Sequence, residues 1–457
     1  MSENEWKKSS RVARYWHATE DSKVQCELCP RHCELKPGQK GFCLVRGNVD
    51  GKLHTFNYGF SVQATIECIE TEAVNHFRPG SRILSMGNVG CMMACHYCQN
   101  WQTSQVKFLN DKNVHFYTPE DVVEHALKNN IEVISWTYND PVVWQEFVVD
   151  TSRLAQKNGI KTLYKSALYI EKEPLKELIE VIDIFSISLK GMDPKMYKKY
   201  TKGELEPVLE RIKEIGKTER HLEISQLVVT GLNDDGTDAR KTAKWIVENL
   251  NSKIPFHLVA YHPAFKYNQP RTSIDKLLEL RNIAIEEGIE YCYLGNVYAD
   301  GFSNTTCKKC NHRLVERFGL TVHVSGIDHT NKCNVCGEPT TITEPHKGES
   351  QKLEISNFEA KQKNNFEWNS EMNSIHVSID DASIDTAFRI IRHPENRIEF
   401  VKISDGLERL ILSKSFAGET GVTIEADRSD SINYLPVLDR AHFPVVNVSP
   451  QSDKYLN

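Results

Sequence analysis

The sequence predicts an α/β protein built around a partial TIM-like barrel. Between Ile83 and Val297, short apolar runs alternate with amphipathic stretches, which is typical of repeated strand–helix units with parallel strands. The chain of 457 residues is 40% hydrophobic and 26% charged, so it can bury a large core. Eleven of its 13 cysteines fall into three tight groups. We therefore expect a barrel over residues 81–298 that is flanked by smaller, metal-stapled parts.

Residues 1–80 are predicted to form a cysteine-rich N-terminal module. Cys26, Cys29, Cys33 and Cys43 lie among prolines and glycines, a loop-rich composition that a metal would have to hold together. Four thiols suffice for one metal site, and His32 is a nearby alternative ligand. Spacing alone does not distinguish zinc from an iron–sulfur cluster, so both remain open.

Seven strand candidates and two well-marked helices define the barrel segment. One helix is predicted over Pro119–Lys128, with Thr118 as its N-cap and proline at its first position, and another over Ile274–Glu287. The strand candidates are Ile83–Met86, Val133–Trp136, Thr162–Tyr164, Ile182–Leu189, Leu222–Val229, Phe256–Ala260 and Tyr291–Leu294. Six or seven such units predict a partial barrel.

Residues 299–346 are predicted to form a zinc-ribbon-like segment. Two Cys-x₂-Cys pairs stand 22 residues apart and consist of Cys307, Cys310, Cys333 and Cys336. Two such knuckles supply four thiolates to tetrahedral zinc. The alternative is an auxiliary [4Fe–4S] cluster that relays electrons. The ribbon would serve either as a docking site for a protein or RNA substrate or as a metal-stapled cap on the barrel.

The C-terminal part is predicted to be a linker followed by a small α+β domain. Residues 347–374 are rich in Lys, Glu, Asn, Gln and Ser, which indicates a linker. Within 375–457, apolar residues at helical spacing from Ile384 to Ile391 predict a helix. Ile398–Ile403 and Leu407–Leu412 flank an Asp-Gly pair, which predicts a hairpin.

Net charge and hydropathy give no support to a nucleic-acid or membrane partner. A net charge of −6 gives no general attraction to nucleic acid or anionic lipid. No stretch approaches the roughly 18 apolar residues that span a bilayer, and the first ten residues are polar, unlike a signal peptide. We expect a cytoplasmic protein with no membrane partner, in a compartment where thiols stay reduced and available as metal ligands.

The loop after the first strand candidate contains the strongest chemical signal. Its cysteines, Cys91, Cys95 and Cys98, have the spacing Cys-x₃-Cys-x₂-Cys. A [4Fe–4S] cluster has four irons, so three thiolates leave one iron open to chelation by the amino and carboxylate groups of S-adenosylmethionine (SAM). Tyr97 is expected to pack near the adenine. A structural zinc loop is the alternative, but a fourth ligand at ordinary spacing is missing.

Residues 26–337 resemble the radical SAM protein of the AmmeMemoRadiSam system, which is itself similar to pyruvate formate-lyase activating enzymes. The matching stretches include CELCPRHCELKPGQKGFCLVRGN at 26–48, CQNWQTSQ in the cysteine loop, TYNDP at 137–141, LEISQLVVTGLNDD at 222–235 and LGNV at 294–297. The resemblance implies a radical SAM barrel, an iron–sulfur cluster and SAM as cofactor.

The resemblance also implies roles for residues at strand ends. Asp140 matches the acidic residue that receives the amino group of SAM; the alternative is a helix N-cap before Pro141. Lys190 matches a family lysine that approaches the SAM carboxylate or the substrate; the alternative is a solvated strand-end lysine. Ser188, a cofactor-binding candidate, stands where the family usually has Asp, and Ser166-Ala167-Leu168 replaces its usual Thr-Asn-Gly. These departures predict a different substrate.

The sequence thus predicts a radical SAM enzyme of oxidoreductase or transferase type. It would cleave SAM reductively to a 5′-deoxyadenosyl radical that abstracts hydrogen from a small molecule or a macromolecule. One alternative is an activase that installs a glycyl radical on a partner protein. Another is a non-catalytic metal-binding protein that uses its cysteine modules for docking. Catalysis would require a low-potential electron donor such as flavodoxin or ferredoxin.

Overall fold

The structure, a computed structural model, describes residues 10–297, 301–318, 320–328, 330–344, 359–368, 372–379, 386–394, 397–403, 409–413, 420–428 and 432–438. The chain divides into two compact units, one with most of the chain up to Lys347 and the other with the chain from Gly348 onward. Within the described ranges, no helix has the length and apolarity that crossing a bilayer requires.

Nine strands form the central sheet of the first unit, and seven of them run parallel. The parallel strands are β1 (Arg82–Asn88), β2 (Val133–Thr137), β3 (Lys161–Ser166), β4 (Ile184–Leu189), β5 (His221–Val228), β6 (Phe256–Ala260) and β7 (Cys292–Gly295). Antiparallel Phe60–Cys68 and then His115–Phe116 extend the sheet beyond β1. Among the described strands β7 does not pair with that far edge, so the predicted partial barrel is confirmed.

Six helices connect the parallel strands. They are α1 (Pro119–Lys128), α2 (Gln145–Lys157), α3 (Lys172–Val181), α4 (Leu205–Gly216), α5 (Thr237–Asn249) and α6 (Ile274–Glu286). The predicted start of α1 is confirmed, because Thr118 Oγ1 accepts a hydrogen bond from Asp121 N and Asp121 accepts one from Thr118 N. Shorter helical turns are Ile69–Glu72, Trp101–Ser104, Val106–Phe108, Asp111–Asn113, Pro141–Trp144, Pro194–Met196 and Tyr197–Thr201.

The barrel interior is layered along the strand direction. A buried apolar cluster fills the N-terminal end of the strands and includes Ile83, Val133, Leu163 and Ile184. Two residues farther along, on the same face of each strand, stand Ser85, Ser135, Lys165 and Ser186. The interior therefore changes from apolar to polar toward the C-terminal ends of the strands, where barrel enzymes place their active sites.

A buried carboxylate near the N-terminal ends of the strands ties the barrel together. Glu223 on β5 accepts hydrogen bonds from the backbone amides of Asn75 and His76, from His221 Nε2 at 2.9 Å and from His257 Nε2 at 2.7 Å. Burial alone would raise the pKa of Glu223, but the hydrogen bonds from the two histidines outweigh burial and hold it well below its usual value.

The N-terminal module contains two small antiparallel sheets. One joins Arg11–Val12, Lys52–Thr55 and Arg46–Val49, and the other joins Trp16–Ala18, Val24–Cys26 and Glu34–Leu35. A buried ion pair fixes the module to α2, because Arg46 Nη1 lies 2.9 Å from Glu146 Oε1. Residues 60–68, which the sequence assigned to this module, instead form the strand beside β1.

The ribbon segment forms a three-stranded sheet of Thr305–Thr306, Arg313–Phe318 and Thr321–Val324. Its returning chain reaches the N-terminal edge of the barrel strands. There Thr343 N donates to His76 O at 2.6 Å, and Thr343 Oγ1 lies 3.3 Å from His221 Nδ1. This part of the ribbon thus packs at the end of the barrel opposite to the polar interior.

The second unit is built of antiparallel strands in the part of it that the structure describes. One sheet has the order Gln362–Glu367, Gly421–Ala426, Thr386–His393 and Arg397–Ile403; the other has the order Arg409–Ser413, Met372–Ile379 and Ile432–Leu438. Side chains from both sheets share one hydrophobic cluster, which includes Ile375, Val377, Phe388, Ile390 and Ile424.

Three predictions for this unit are wrong. The helix predicted from Ile384 to Ile391 is a strand from Thr386 onward, because Phe388 and Ile390 are buried at the two-residue period of a strand. Ile384 itself lies outside the described residues. The predicted hairpin does not form, since Arg397–Ile403 pairs with Thr386–His393 whereas Arg409–Ser413 pairs with Met372–Ile379.

The third correction concerns the predicted linker over 347–374, which contains the strand Gln362–Glu367. Side chains in this strand alternate between half-buried and exposed, with Gln362, Asn364 and Phe366 on the inner face. The sequence did not reveal this alternation, because amide side chains occupy inward-facing positions where a strand usually has apolar residues.

Replacing Glu223 with Gln should lower the free energy of unfolding by about 3–5 kcal/mol, because the variant removes the charge from a buried carboxylate–histidine cluster. Urea unfolding measures the loss, with the exposed Glu173→Gln as control. The lowered pKa of Glu223 stabilises the fold above about pH 4.3, and this stabilisation disappears as the pH falls through the folded-state value. Lowering the pH should therefore reduce the difference in the free energy of unfolding between the wild type and Glu223→Gln. Equal stability of both variants at neutral pH would contradict the prediction.

Candidate active site

A cavity of about 350 Å³ opens at the C-terminal ends of the barrel strands. Every candidate that the sequence analysis assigned to catalysis or cofactor binding lines it, namely Cys91, Cys95, Cys98, Tyr97, Asp140, Ser188 and Lys190. At the mouth, Gln99 and Asn100 are exposed to solvent. The parallel strands thus bring residues from distant parts of the sequence to one concave site.

The cysteine loop enters the cavity directly after β1. Gly90 makes this turn with a φ of +88°, and a Cβ atom there would lie 2.9 Å from Val45 Cγ1 and 3.1 Å from Cys43 O. Backbone amides of the loop donate to a neighbouring helical turn, Ala94 N to Thr201 O and His96 N to Tyr200 O. Burial raises the pKa of the Cys91 thiol well above its usual value and that of Cys95 to about 12. A bound metal would replace the thiol protons.

Asp140 caps a helical turn and also lines the cavity. Its carboxylate accepts a hydrogen bond from Val142 N at 3.2 Å, as the N-cap of the Pro141–Trp144 turn. It also accepts hydrogen bonds from Ser166 Oγ at 2.8 Å and Ala167 N at 2.7 Å. Burial raises the pKa of Asp140, and these hydrogen bonds and the charge of Lys190 oppose that rise. Two carboxylate oxygens have about four acceptor positions, so one remains for a ligand.

Tyr97 also lines the cavity and has a buried hydroxyl group. Its hydroxyl has no hydrogen-bond partner among the described residues, and its ring packs against Val229 and Tyr261. Burial raises the pKa of Tyr97 well above its usual value, so the hydroxyl stays protonated and available to a ligand.

Leu168, at one of the positions that depart from the family pattern, has a left-handed backbone conformation. It occupies the position of the family's glycine in Thr-Asn-Gly, yet its φ is +56°. This left-handed conformation costs a non-glycine residue about 1 kcal/mol. Leu168 therefore adopts this turn at an energetic cost that a glycine would avoid. Ser166, in the same turn, donates its hydroxyl to Asp140 and so orients it.

Sequence analysis missed two titratable residues, Lys165 and Glu72, at the base of the cavity. Lys165 Nζ donates to Glu72 O, Ser186 Oγ and Ser225 Oγ, each at 3.0 Å. The Glu72 carboxylate accepts hydrogen bonds from Ser85, Ser135 and Thr137. Burial raises the pKa of Glu72 and lowers that of Lys165. A charged residue inside a buried strand was a visible signal for Lys165, whereas nothing in the sequence marked Glu72.

The ribbon cysteines converge as predicted. Cys307 Sγ lies 3.6 Å from Cys336 Sγ, and Cys310 Sγ lies 3.7 Å from Cys333 Sγ. All four sulfur atoms lie within 4.8 Å of one another. Tetrahedral zinc, with Zn–S bonds of about 2.3 Å, needs sulfur atoms about 3.8 Å apart, so the donor set fits zinc.

Comparison with known proteins decides the family. The model of the radical SAM superfamily matches residues 87–246, which contain the cysteine loop. A relative from Methanocaldococcus jannaschii, described only as an uncharacterized protein, is 38% identical over 73% of this chain and 99% of its own length. The chain belongs to the radical SAM superfamily. It is a radical SAM enzyme, and the family uses a [4Fe–4S] cluster and SAM.

Other relatives of this radical SAM enzyme are activating enzymes. The pyruvate formate-lyase 1-activating enzyme of Escherichia coli is 24% identical over 41% of this chain and 77% of its own length. The (2S)-3-sulfopropanediol dehydratase activating enzyme of Klebsiella oxytoca is 28% identical over 25% of this chain and 36% of its own length. A solved domain of a pyruvate-formate lyase-activating enzyme from Bacteroides vulgatus is 20% identical, with a TM-score of 0.32, over 35% of this chain and 98% of that domain.

The low pKa of Lys165 is testable without substrate. Acetic anhydride reacts with neutral amines, so Lys165 should become labelled at a lower pH than exposed Lys244. Labelling over a pH series, followed by peptide mass spectrometry, measures both midpoints. Unfolded protein is the control, in which the midpoints should coincide. Coinciding midpoints in the folded protein would show that burial does not perturb Lys165.

Proposed function

We propose that this cavity binds a [4Fe–4S] cluster at Cys91, Cys95 and Cys98 together with SAM, and that the enzyme abstracts hydrogen from a substrate bound beside them. The observation that supports this most directly is the convergence of three thiols from one loop with Asp140 and the unpartnered Tyr97 hydroxyl. The donors fit the cofactors, because three thiolates leave one iron free and the carboxylate and hydroxyl suit the amino and adenine groups of SAM.

The cluster and SAM together supply one-electron cleavage of the sulfonium to a 5′-deoxyadenosyl radical and methionine. The protein's own part is to position the cofactor. Asp140, held by Ser166 and Ala167, would accept hydrogen bonds from the N–H groups of the SAM amino group. Lys190 and Ser188 line the same cavity and would contact the SAM carboxylate or the substrate. Lys165 and Glu72 form a rigid polar base beneath them.

The Cys98→Ala variant should lose 5′-deoxyadenosine formation from SAM, by at least about 100-fold, because the cluster would lose one of its three ligands. Anaerobically reconstituted protein, dithionite and liquid chromatography provide the measurement. The control is Cys68→Ala, which removes a thiol that lies 2.7 Å from Glu70 Oε2 and does not line the cavity. Full activity of Cys98→Ala, or no product from the wild type, would contradict the assignment.

The Asp140→Asn variant should raise the Kd for SAM about 10- to 100-fold, because an amide oxygen accepts hydrogen bonds from the iron-bound amino group more weakly than a carboxylate does. The matched control is Asp193→Asn. Asp193 is also an N-cap aspartate, for the helix Pro194–Met196, but it does not line the cavity. Asparagine caps a helix as well as aspartate does, so both variants keep the cap and lose one negative charge, and only Asp140→Asn should change SAM affinity in equilibrium dialysis. Equal Kd values would assign Asp140 to capping alone.

A second candidate function is activation of a partner protein by installing a glycyl radical. Similarity to the activating enzymes of E. coli and Klebsiella oxytoca favours it. The exposed cavity mouth at Gln99 and Asn100 is compatible with entry of a peptide segment. The test mixes the enzyme with a glycyl radical enzyme from the same genome and looks for a glycyl radical by electron paramagnetic resonance. SAM cleavage without that signal would favour hydrogen abstraction from another substrate.

We place the enzyme in the cytoplasm, supplied with electrons by a flavodoxin or ferredoxin. At the ribbon, Cys307, Cys310, Cys333 and Cys336 would hold zinc, which their sulfur distances support. The contacts of Thr343 with His76 and His221 lie at the opposite end of the barrel from the cavity. These contacts favour a structural cap over a substrate-docking site.

A further inference from the structure

The described cysteines fall into two geometric classes. At the ribbon, all four cysteine sulfur atoms lie within 4.8 Å of one another. Among the described residues, neither the Cys91–Cys98 loop nor the N-terminal group has three sulfur atoms this close together. Thiolates that share one zinc must be close together. Thiolates on a [4Fe–4S] cube bind different irons and therefore stand farther apart. The N-terminal cysteines thus share the wide spacing of the loop that we assign to the SAM cluster.

The four N-terminal cysteines nevertheless surround a single space. Cys26, Cys29, Cys33 and Cys43 all line one small cavity of about 20 Å³, so the four side chains converge on one place. Four thiolates on one zinc have the close sulfur spacing of the ribbon, whereas four thiolates on an iron–sulfur cluster stand farther apart.

Arg46 offers this cavity a buried hydrogen-bond donor. This side chain lines the same cavity and is 2% exposed. Its two terminal nitrogens bind Glu146 and Arg14 O, but its Nε is buried without a hydrogen-bond partner among the described residues. A buried, unpaired N–H costs about 1–3 kcal/mol, which a hydrogen bond to cluster or cysteine sulfur would offset.

The N-terminal cavity lies directly behind the loop of the SAM cluster. Met92, the residue after Cys91, lines the cavity, and Arg31 Nε donates to Met92 O at 2.6 Å. A Cβ atom at Gly90 would lie 3.1 Å from Cys43 O. On the outer side, Cys43 is only partly buried, and Phe42 and Leu44 are exposed beside it. One side of the site thus faces solvent and the other faces the loop.

We propose that Cys26, Cys29, Cys33 and Cys43 bind a second [4Fe–4S] cluster, through which one electron passes from an external low-potential donor to the cluster at Cys91, Cys95 and Cys98. The second half of this proposal rests on the proposed function. The donor is oxidised by one electron, and the second cluster is reduced and then reoxidised. The final acceptor is the SAM sulfonium, whose bond to C5′ breaks as methionine leaves.

Metal analysis tests the cluster separately from catalysis. The Cys91→Ala/Cys95→Ala/Cys98→Ala triple variant should retain about four irons per chain, with the Mössbauer spectrum of a [4Fe–4S] cluster. The control is Cys307→Ser/Cys310→Ser, which should lose zinc and keep all its iron. Zinc in place of iron in the triple variant would overturn the proposal. Wild type provides a second measurement if the triple variant does not fold, since about eight irons support two clusters and about four contradict them.

Two reductants test the relay. In the Cys29→Ser/Cys43→Ser variant, 5′-deoxyadenosine formation with reduced flavodoxin should fall at least about tenfold relative to wild type, and the fall with dithionite should be less than about twofold, because a small reductant can bypass the relay. Equal losses with both reductants, or no loss, would overturn the relay. Failure of the proposed function looks different, because wild type would then form no 5′-deoxyadenosine with either reductant.

Discussion

The site depends on how an irregular loop is held with its thiols facing inward. Residues 90–98 have no helix or strand of their own, so their buried polar backbone groups need partners elsewhere. Three separate segments provide them: Thr103 O accepts from Gly90 N and the Gln105 side chain donates to Met93 O, the Arg31 side chain donates to Met92 O, and Lys266 N donates to His96 O. The position of the cysteines is therefore fixed by the N-terminal module, the barrel and the loops together.

The two ends of the barrel differ: contacts that stabilise the fold lie at the N-terminal ends of the strands, and the candidate active site lies at the C-terminal ends. At the N-terminal ends of the strands, Glu223 joins β5, β6 and the segment before β1 through hydrogen bonds, and the ribbon packs against that end. At the C-terminal ends, the less stable features accumulate: Leu168 with positive φ, the unpartnered Tyr97 hydroxyl and the buried Asp140. Strain and unpaired groups are tolerated there because the opposite end stabilises the fold.

The sequence predicted what local pattern and strand order determine. The seven parallel strands and the capping of α1 were confirmed. The family resemblance marked Asp140 and Lys190, and both line the cavity with the cysteine loop because parallel strands end at one edge. Contacts between distant segments could not be predicted, so Glu72 and the hydrogen bond that its main-chain carbonyl accepts from Lys165 were missed. Phe388 and Ile391 fit helical spacing equally well, and only sheet pairing showed that they form a strand.

The central claim is that SAM binds the one iron that Cys91, Cys95 and Cys98 leave free. Electron–nuclear double resonance on the reduced protein, with SAM carrying ¹⁵N in its amino group, tests it most directly. The account predicts a hyperfine coupling between the cluster and that nitrogen, because the amino group would coordinate the free iron beside Asp140. A spectrum that SAM leaves unchanged, in protein shown to contain the cluster, would contradict the account.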